Sequence, residues 1–239
     1  MVQGLSDTAF ILAAGLGSRL RPYTNDTPKP LVQVNGRSLL DRTLGHFVDI
    51  GIKSVAANTH YCAEQINEAL GRRSEFQSYI SYEEELLDTG GGIKSLLQHF
   101  DAPFFTLSGD GLWENAKGAN SLQSMAEAWD EARMDILMLL QPVDSMLHTK
   151  AIGDYDLDEE GRAMRSLSKD GRYMFTSMRI HHPRIFEGAP NGAFSYLELM
   201  DKAQEEGRLY GVIHEGDWHH ISTPQDLEAV DALYKKAGK

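Results

Sequence analysis

The sequence predicts an α/β fold built on a doubly wound, mostly parallel mixed sheet with added antiparallel strands. Three observations carry this. Short apolar runs alternate with amphipathic helical stretches through residue 142. The first of these runs ends in a glycine turn followed by an arginine. Beyond Pro142 the alternation gives way to hairpin-like strands and two more helices. Strands joined through helices imply right-handed crossovers, so the first part is Rossmann-like.

Each element has a local reason. Residues 9–14 form an apolar run closed by Gly15 and read as a buried central strand. Ser38 caps a helix over 38–50, with Leu39, Leu40, Leu44 and Phe47 on one face. The run IKSVAAN is the next strand, followed by a helix over 63–70. YISY is a third strand, and Gly90–Gly92 lead into a helix IKSLLQHF. PFFTLSGD is a fourth strand that ends in an acid. A helix over 122–129 precedes the strand DILMLLQ. The stretch AIGDYDLDEEGRAMRSLS reads as a hairpin around Glu160-Gly161, and RYMFTSMRI as a further strand. Helices follow over 195–206 and 224–235. No linker, low-complexity stretch or repeat interrupts the chain, so one domain is expected over 1–239, in two lobes, 1–142 and 143–239.

Composition narrows the function. With 239 residues, 41% of them hydrophobic, the chain can bury a sizeable core. A formal net charge of -12 argues against generic nucleic-acid binding, which needs clustered positive charge. Cys62 is the single cysteine, so neither an internal disulfide nor a Cys/His zinc framework is expected. The run 9–14 is too short to span a membrane and lacks the basic flank of a secretory signal, so a cytoplasmic location is expected.

The stretch ILAAGLGSRLRPYTNDTPKPL carries the densest chemistry. Gly15-Leu16-Gly17 begins a dinucleotide fingerprint, but Leu20 stands where its third glycine belongs. No G-K-[ST] follows, so it is not a P-loop. What remains is a strand, a small-residue turn and a helix-like start bearing Arg19. Backbone N–H groups at such a turn hold phosphates, and glycine lets the backbone approach closely. Arg19 offers a rigid fork to phosphate oxygens. Lys29 sits between Pro28 and Pro30, which stiffen the backbone around it, and a pinned ammonium suits a phosphate whose charge grows in a transition state. Asp110 ends an apolar strand at the edge where open α/β sheets bind ligands; a carboxylate there suits Mg²⁺. A capping or turn role for Asp110 is the plain alternative.

The stretch LAAGLGSRLRP…TPKPL resembles the signature of sugar-1-phosphate nucleotidyltransferases. The resemblance continues through LLDTGGGI, LSGDGLW, GDYDL, FEGAPNGAF and DWHHIST, and so covers nearly the whole chain. It is strongest toward short bacterial N-acetylmuramate-1-phosphate uridylyltransferases, which themselves resemble mannose-1-phosphate guanylyltransferases. The resemblance implies the nucleotide-diphospho-sugar transferase fold, with a nucleotide-binding lobe over 1–142 and a sugar-binding lobe over 143–239. It implies an NTP and a sugar 1-phosphate as partners, an NDP-sugar and pyrophosphate as products, and Mg²⁺ as cofactor. Leu12, Ala13, Ala14, Gly15, Gly17 and Arg19 would then hold the nucleotide, and Lys29 would neutralise the α-phosphate, making Arg19 and Lys29 the catalytic residues. Gly90 and Gly91 would lie under the base, and Asp110 would bind the metal. At the sugar end the resemblance points to Gly153, Asp154, Phe175 and Lys169, although Lys169 reads equally as a solvated loop lysine and Phe175 as core.

Two departures qualify this. Where the family has W-x-D-[VI]-G-T, this chain has WHHIST, which puts His220 in place of the second metal-binding aspartate. His220 as a neutral imidazole ligand suits Mn²⁺ better than Mg²⁺; contact with phosphate and loss of metal and catalysis are the other two readings. Asp217 points the opposite way from His220 in an extended segment and is a poor substitute. Ser177-Met178 stands where relatives often have a glycine. Besides uridylyl transfer to N-acetylmuramate 1-phosphate, the alternatives are a non-catalytic nucleotide-sugar-binding relative, a mannose- or heptose-1-phosphate guanylyltransferase, and a phosphocholine cytidylyltransferase relative. Oligomeric state has no signature in the sequence.

Overall fold

The computed structural model describes residues 4–146, 149 and 151–239. Strand β1 (Thr8–Leu12) is almost wholly buried and leads into the glycine turn. A short hairpin, β2 (Gln33–Val34) and β3 (Arg37–Ser38), turns at Asn35 and Gly36, both with left-handed φ. The expected elements omit this hairpin, although Asn-Gly is a strong local turn signal. Helix α1 (Leu39–Asp49) starts where Ser38 accepts a 3.1 Å bond from the amide of Asp41. Strand β4 (Ser54–Thr59), helix α2 (Ala63–Gly71) and strand β5 (Gln77–Tyr82) complete the first parallel unit.

Helix α3 (Asp88–Lys94) corrects one expectation. The three glycines lie inside it rather than ahead of it, and IKSLLQHF is not continuous helix, because α3 ends at Lys94 and only a 3₁₀ turn follows at Leu97–His99. The physical reason is close packing. A Cβ on Gly90 would lie 2.3 Å from the Phe194 ring, and one on Gly91 would lie 2.2 Å from the carbonyl oxygen of Gly192. The helix therefore docks backbone-first against that loop.

Strand β6 (Phe104–Ser108) follows, then β7 (Leu112–Glu114), α4 (Ser121–Ala128) and β8 (Ile136–Pro142). The hairpin β9 (Tyr155–Leu157) and β10 (Ala163–Arg165) turns through Gly161, whose φ is +81°. Strand β11 (Tyr173–His181), α5 (Tyr196–Glu205), β12 (Leu209–Ile213), β13 (Asp217–His219) and α6 (Pro224–Ala237) end the chain. Strands β7 and β12 are absent from the expected elements, being short or without clear alternation, whereas β13 lies in the segment read as extended. The start of α6 is fixed by a reciprocal capping box between Thr223 and Asp226.

A nine-stranded sheet joins strands from both sides of Pro142. Its main path runs β5-β4-β1-β6-β11-β8-β12, and β9-β10 attaches to β11. β1, β4, β5 and β6 are parallel neighbours; β11 runs antiparallel to β6 and β8, and β12 is parallel to β8. The sheet is thus doubly wound, mostly parallel and mixed, as expected. Leu44, Phe47, Ile66 and Met125 pack on one face, and Ile93, Tyr196 and Met200 on the other. Leu227, Val230 and Tyr234 of α6 pack with Leu20, Val34 and Leu39, which ties the C-terminal helix to the glycine loop. No described helix is long and apolar enough to cross a membrane.

Candidate active site

A cavity of about 420 Å³ opens at the carboxyl ends of β1, β4 and β6. Leu12, Ala13, Ala14, Gly15, Gly17, Lys29 and Asp110 all line it, so residues far apart in the sequence meet there. Gly17 adopts φ +61°, and a Cβ there would meet Thr24 Cγ2 at 3.1 Å and Lys29 Cβ at 3.2 Å. Glycine is therefore required twice over, by conformation and by space. Thr24 closes the loop by donating to the carbonyl of Gly17 at 2.8 Å, and Tyr61 donates to the carbonyl of Thr24 at 3.0 Å.

Lys29 starts a 3₁₀ turn, Lys29–Leu31, directly after extended Pro28. Its ammonium donates to Oδ2 of Asp110, and the Ser108 hydroxyl donates to Oδ1. Burial alone would raise the carboxyl pKa of Asp110, but the charge and hydrogen bond of Lys29, with the Ser108 hydroxyl, outweigh it and hold the carboxyl below its usual range. The pair is largely shielded from water: Lys29 is 15% exposed and Asp110 26%.

The far wall holds residues the sequence reading missed. Asn58 accepts from the amide of Ala13 at 3.1 Å and donates to Glu83 at 2.7 Å. Glu83 also accepts from the amide of Leu87 at 2.9 Å. This buried pair fastens the glycine loop to the segment entering α3. A polar residue ending an apolar strand, as Asn58 ends IKSVAAN, was the available signal; Glu83 had none that set it apart from Glu84 and Glu85. Asp88 (φ +57°) and Thr89 line the cavity too.

Gly90 and Gly91 do not line it. Their amides donate to the carbonyl of Phe194 at 2.9 and 3.3 Å, and the space that their missing side chains leave is filled by Phe194 and Gly192. Arg19 is exposed and does not line the cavity, but it lies within electrostatic reach of His220. At the other end, Lys169 donates to Asp154 at 2.8 Å, and Asp154 accepts from the amide of Phe175 at 3.1 Å. Gly153 crosses Gly171 so closely that a Cβ would lie 1.9 Å from its carbonyl oxygen. These four sugar-end residues cluster together but do not line the cavity.

His220 is half-buried, and its amide donates to Thr149 at 3.2 Å. Burial first, then Lys29 and Arg19, push its imidazole below the usual range, against the pull of Asp110 and Asp226. Asp226 is occupied by the amides of Ser222 and Thr223 at 3.1 and 2.8 Å. Asp217 lines a different, smaller cavity with Glu114. Among the described residues no group of three or more His, Cys, Asp or Glu is placed to enclose a metal. The donor set is instead one ionised carboxylate open to the cavity with one imidazole nearby. That suits a cation that takes most of its ligands from substrate phosphates.

Residues 8–237 match the family described as nucleotidyl transferase. An N-acetylmuramate alpha-1-phosphate uridylyltransferase of Caulobacter vibrioides is 34% identical over 236 residues, 96% of this chain and 97% of its own. A mannose-1-phosphate guanylyltransferase of Mycobacterium tuberculosis is 29% identical over 234 residues, 92% of this chain and 62% of its own. Among solved structures, HddC from Yersinia pseudotuberculosis complexed with GMP-PN matches with a TM-score of 0.76 at 24% identity, over 95% of this chain and 99% of its own, which bears on the fold. The chain belongs to the nucleotidyl transferase family. Within it, the chain is a sugar-1-phosphate nucleotidyltransferase.

Proposed function

We propose that the chain transfers the uridylyl group of UTP to N-acetylmuramate 1-phosphate, giving the UDP-sugar and pyrophosphate. The observation that carries the reaction is the Lys29–Asp110 pair, which lines one cavity together with the glycine turn. The 34% identity to the Caulobacter protein supports the choice of base and sugar.

In this reading the sugar phosphate attacks the α-phosphorus in line, and pyrophosphate leaves with the P–O electron pair. No enzyme nucleophile is needed, and catalysis is positioning plus charge stabilisation. The turn at Gly15–Gly17 and Arg19 hold the leaving phosphates. Lys29 neutralises charge at the α-phosphate. Asp110 and His220 would hold a divalent cation, which would supply further positive charge to the phosphates. Burial and the nearby cations lower the imidazole of His220, which favours the neutral form that ligates a metal. Gly90 and Gly91 act from behind the cavity wall by letting α3 seat against Phe194, so that Asp88 and Thr89 face the cavity, and Gly153, Asp154, Phe175 and Lys169 frame the sugar.

Guanylyl transfer to mannose 1-phosphate is the second reading, favoured by the Mycobacterium relative. Pyrophosphate release over a grid of four NTPs and several sugar 1-phosphates separates the two. The uridylyl reading requires the UTP and N-acetylmuramate 1-phosphate pair to give the highest kcat/KM. A maximum with GTP and mannose 1-phosphate replaces it with the second.

A further inference from the structure

One buried charge near the cavity has no part in the transfer described above. Strands β1, β4 and β6 run in register, so Asn58, Leu12 and Ser108 form one row across the sheet. All three line the cavity. Alternation puts the next row on the same face two residues down: Ala56, Phe10 and Thr106. Arg179 of β11 extends that lower row, paired with Thr106 on one side and Met138 on the other. The 3.0 Å bond between Thr106 and His181, two residues from Arg179, fixes the face.

A bulge shapes the position above it. Phe175 pairs with Leu140 and Arg179 with Met138, leaving Thr176, Ser177 and Met178 opposite Leu139 alone. Ser177 takes φ +65° in this bulge, a conformation more natural to glycine. Phe175 and Arg179 thereby become neighbours on one face, with the guanidinium carbon 5.9 Å from the Phe175 ring centroid and 3.8 Å from that of Tyr196.

Arg179 is 4% exposed, and its Nε and Nη2 have no hydrogen-bond partner. Among the described residues no carboxylate pairs with it. Burial opposes its charge, and the neutral hydroxyls of Tyr196 and Tyr155 offset this only in part. Arginine stays protonated in proteins, so a cation without a counterion lies one layer beneath the cavity row.

Its place in the row says which end of a ligand it meets. Ser108 is already ~7 Å along the strand from Thr106, at ~3.3 Å per residue, and Asp110 lies further still. A phosphate reacting at Lys29 and Asp110 is therefore remote from Arg179, and the part of an acceptor that Phe175 frames in the reading above would be the nearer end. We propose that Arg179 is a specificity-determining charge that selects a sugar 1-phosphate carrying a second anion, a carboxylate on a substituent of the sugar. It acts through its field across the Phe175–Ser177 layer, where low dielectric keeps the attraction strong. The inference rests on the nucleotidyl-transfer reading and deepens it by naming the residue that selects the acceptor's second anion.

N-Acetylmuramate 1-phosphate and N-acetylglucosamine 1-phosphate test it, because they differ by one lactyl carboxylate. KM, kcat and calorimetric affinity are measured for both with the wild type, Arg179→Met and Arg179→Lys. The wild type should prefer the carboxylate-bearing acceptor. Arg179→Met should raise its KM on the order of 10-fold, as expected for one charge several ångströms away, with kcat and the neutral acceptor little changed. Arg179→Lys should keep the preference. A preference unchanged in Arg179→Met, or equal losses for both acceptors, overturns the proposal. If the wild type forms no pyrophosphate with either acceptor, the nucleotidyl-transfer reading fails, and the binding isotherms still decide the role of Arg179.

Discussion

Lys29 donates its ammonium to the carboxylate of Asp110, joining a Pro-flanked loop to the end of β6 across 81 residues of sequence. The contact holds the ammonium at the cavity wall without ligand, so no reorganisation is needed when negative charge develops there. Lys29→Ala should lower kcat about 10²–10³-fold, the usual loss for one preorganised charge donor. The melting temperature should fall only modestly, because Asp110 loses its counterion but keeps the Ser108 hydroxyl and some solvent, while the loop stays fixed by Thr24 and Tyr61. A large fall in melting temperature with kcat little changed points instead to a structural role.

Glu83 should matter through the segments it joins. Glu83→Ala leaves the Asn58 side-chain amide and the Leu87 backbone amide without their acceptor, at about 1–3 kcal/mol for each buried group left unsatisfied. The melting temperature should fall by roughly 2–4 °C per kcal/mol. KM for the nucleotide should rise, because Asn58 also holds Ala13. An unchanged KM breaks the link between this pair and the glycine loop.

Gly15 and Gly90 make a matched contrast. A Cβ at Gly15 meets nothing within 4 Å, whereas one at Gly90 drives into Phe194. Gly90→Ala should destabilise by about 1–3 kcal/mol through overpacking. Gly15→Ala should leave stability within about 0.5 kcal/mol and act only on nucleotide affinity. Chemical denaturation of both variants checks this; equal destabilisation contradicts it.

Much of this site was legible because its signals are local. Gly17 and Pro28-Lys29-Pro30 are fixed by turn geometry, and Asp110 by its place at a strand end. The hidden part depends on register and long-range packing. Glu83 is one of three consecutive glutamates, and only the docking of α3 singles it out to face Asn58. Gly90 looked like room for a ligand, but the room belongs to Phe194, a hundred residues on. Ser177 was noted for lacking a glycine, yet the bulge it forms and the burial of Arg179 need the pairing with β8 to be seen.

Stability should fall in mild acid. His181, His46 and His214 are all held below the usual imidazole range, chiefly by burial. The unfolded chain therefore binds protons that the folded protein refuses. Their contribution is complete above the unfolded value of about 6.5 and is lost as pH falls below it. The urea midpoint should be lower at about pH 5 than at about pH 7.5, and the gap should narrow in His181→Gln. A midpoint independent of pH across that window contradicts this.

The central claim is that this cavity moves a nucleotidyl group onto a sugar 1-phosphate. Phosphorus NMR of the wild-type protein with UTP, N-acetylmuramate 1-phosphate and Mg²⁺ tests it most directly, with a parallel sample in His220→Asp. The account predicts one pyrophosphate for each UDP-sugar formed, and faster turnover in Mg²⁺ for His220→Asp, because a carboxylate suits that ion better than an imidazole. No NDP-sugar from any pair of NTP and sugar 1-phosphate, in Mg²⁺ or Mn²⁺, would contradict it.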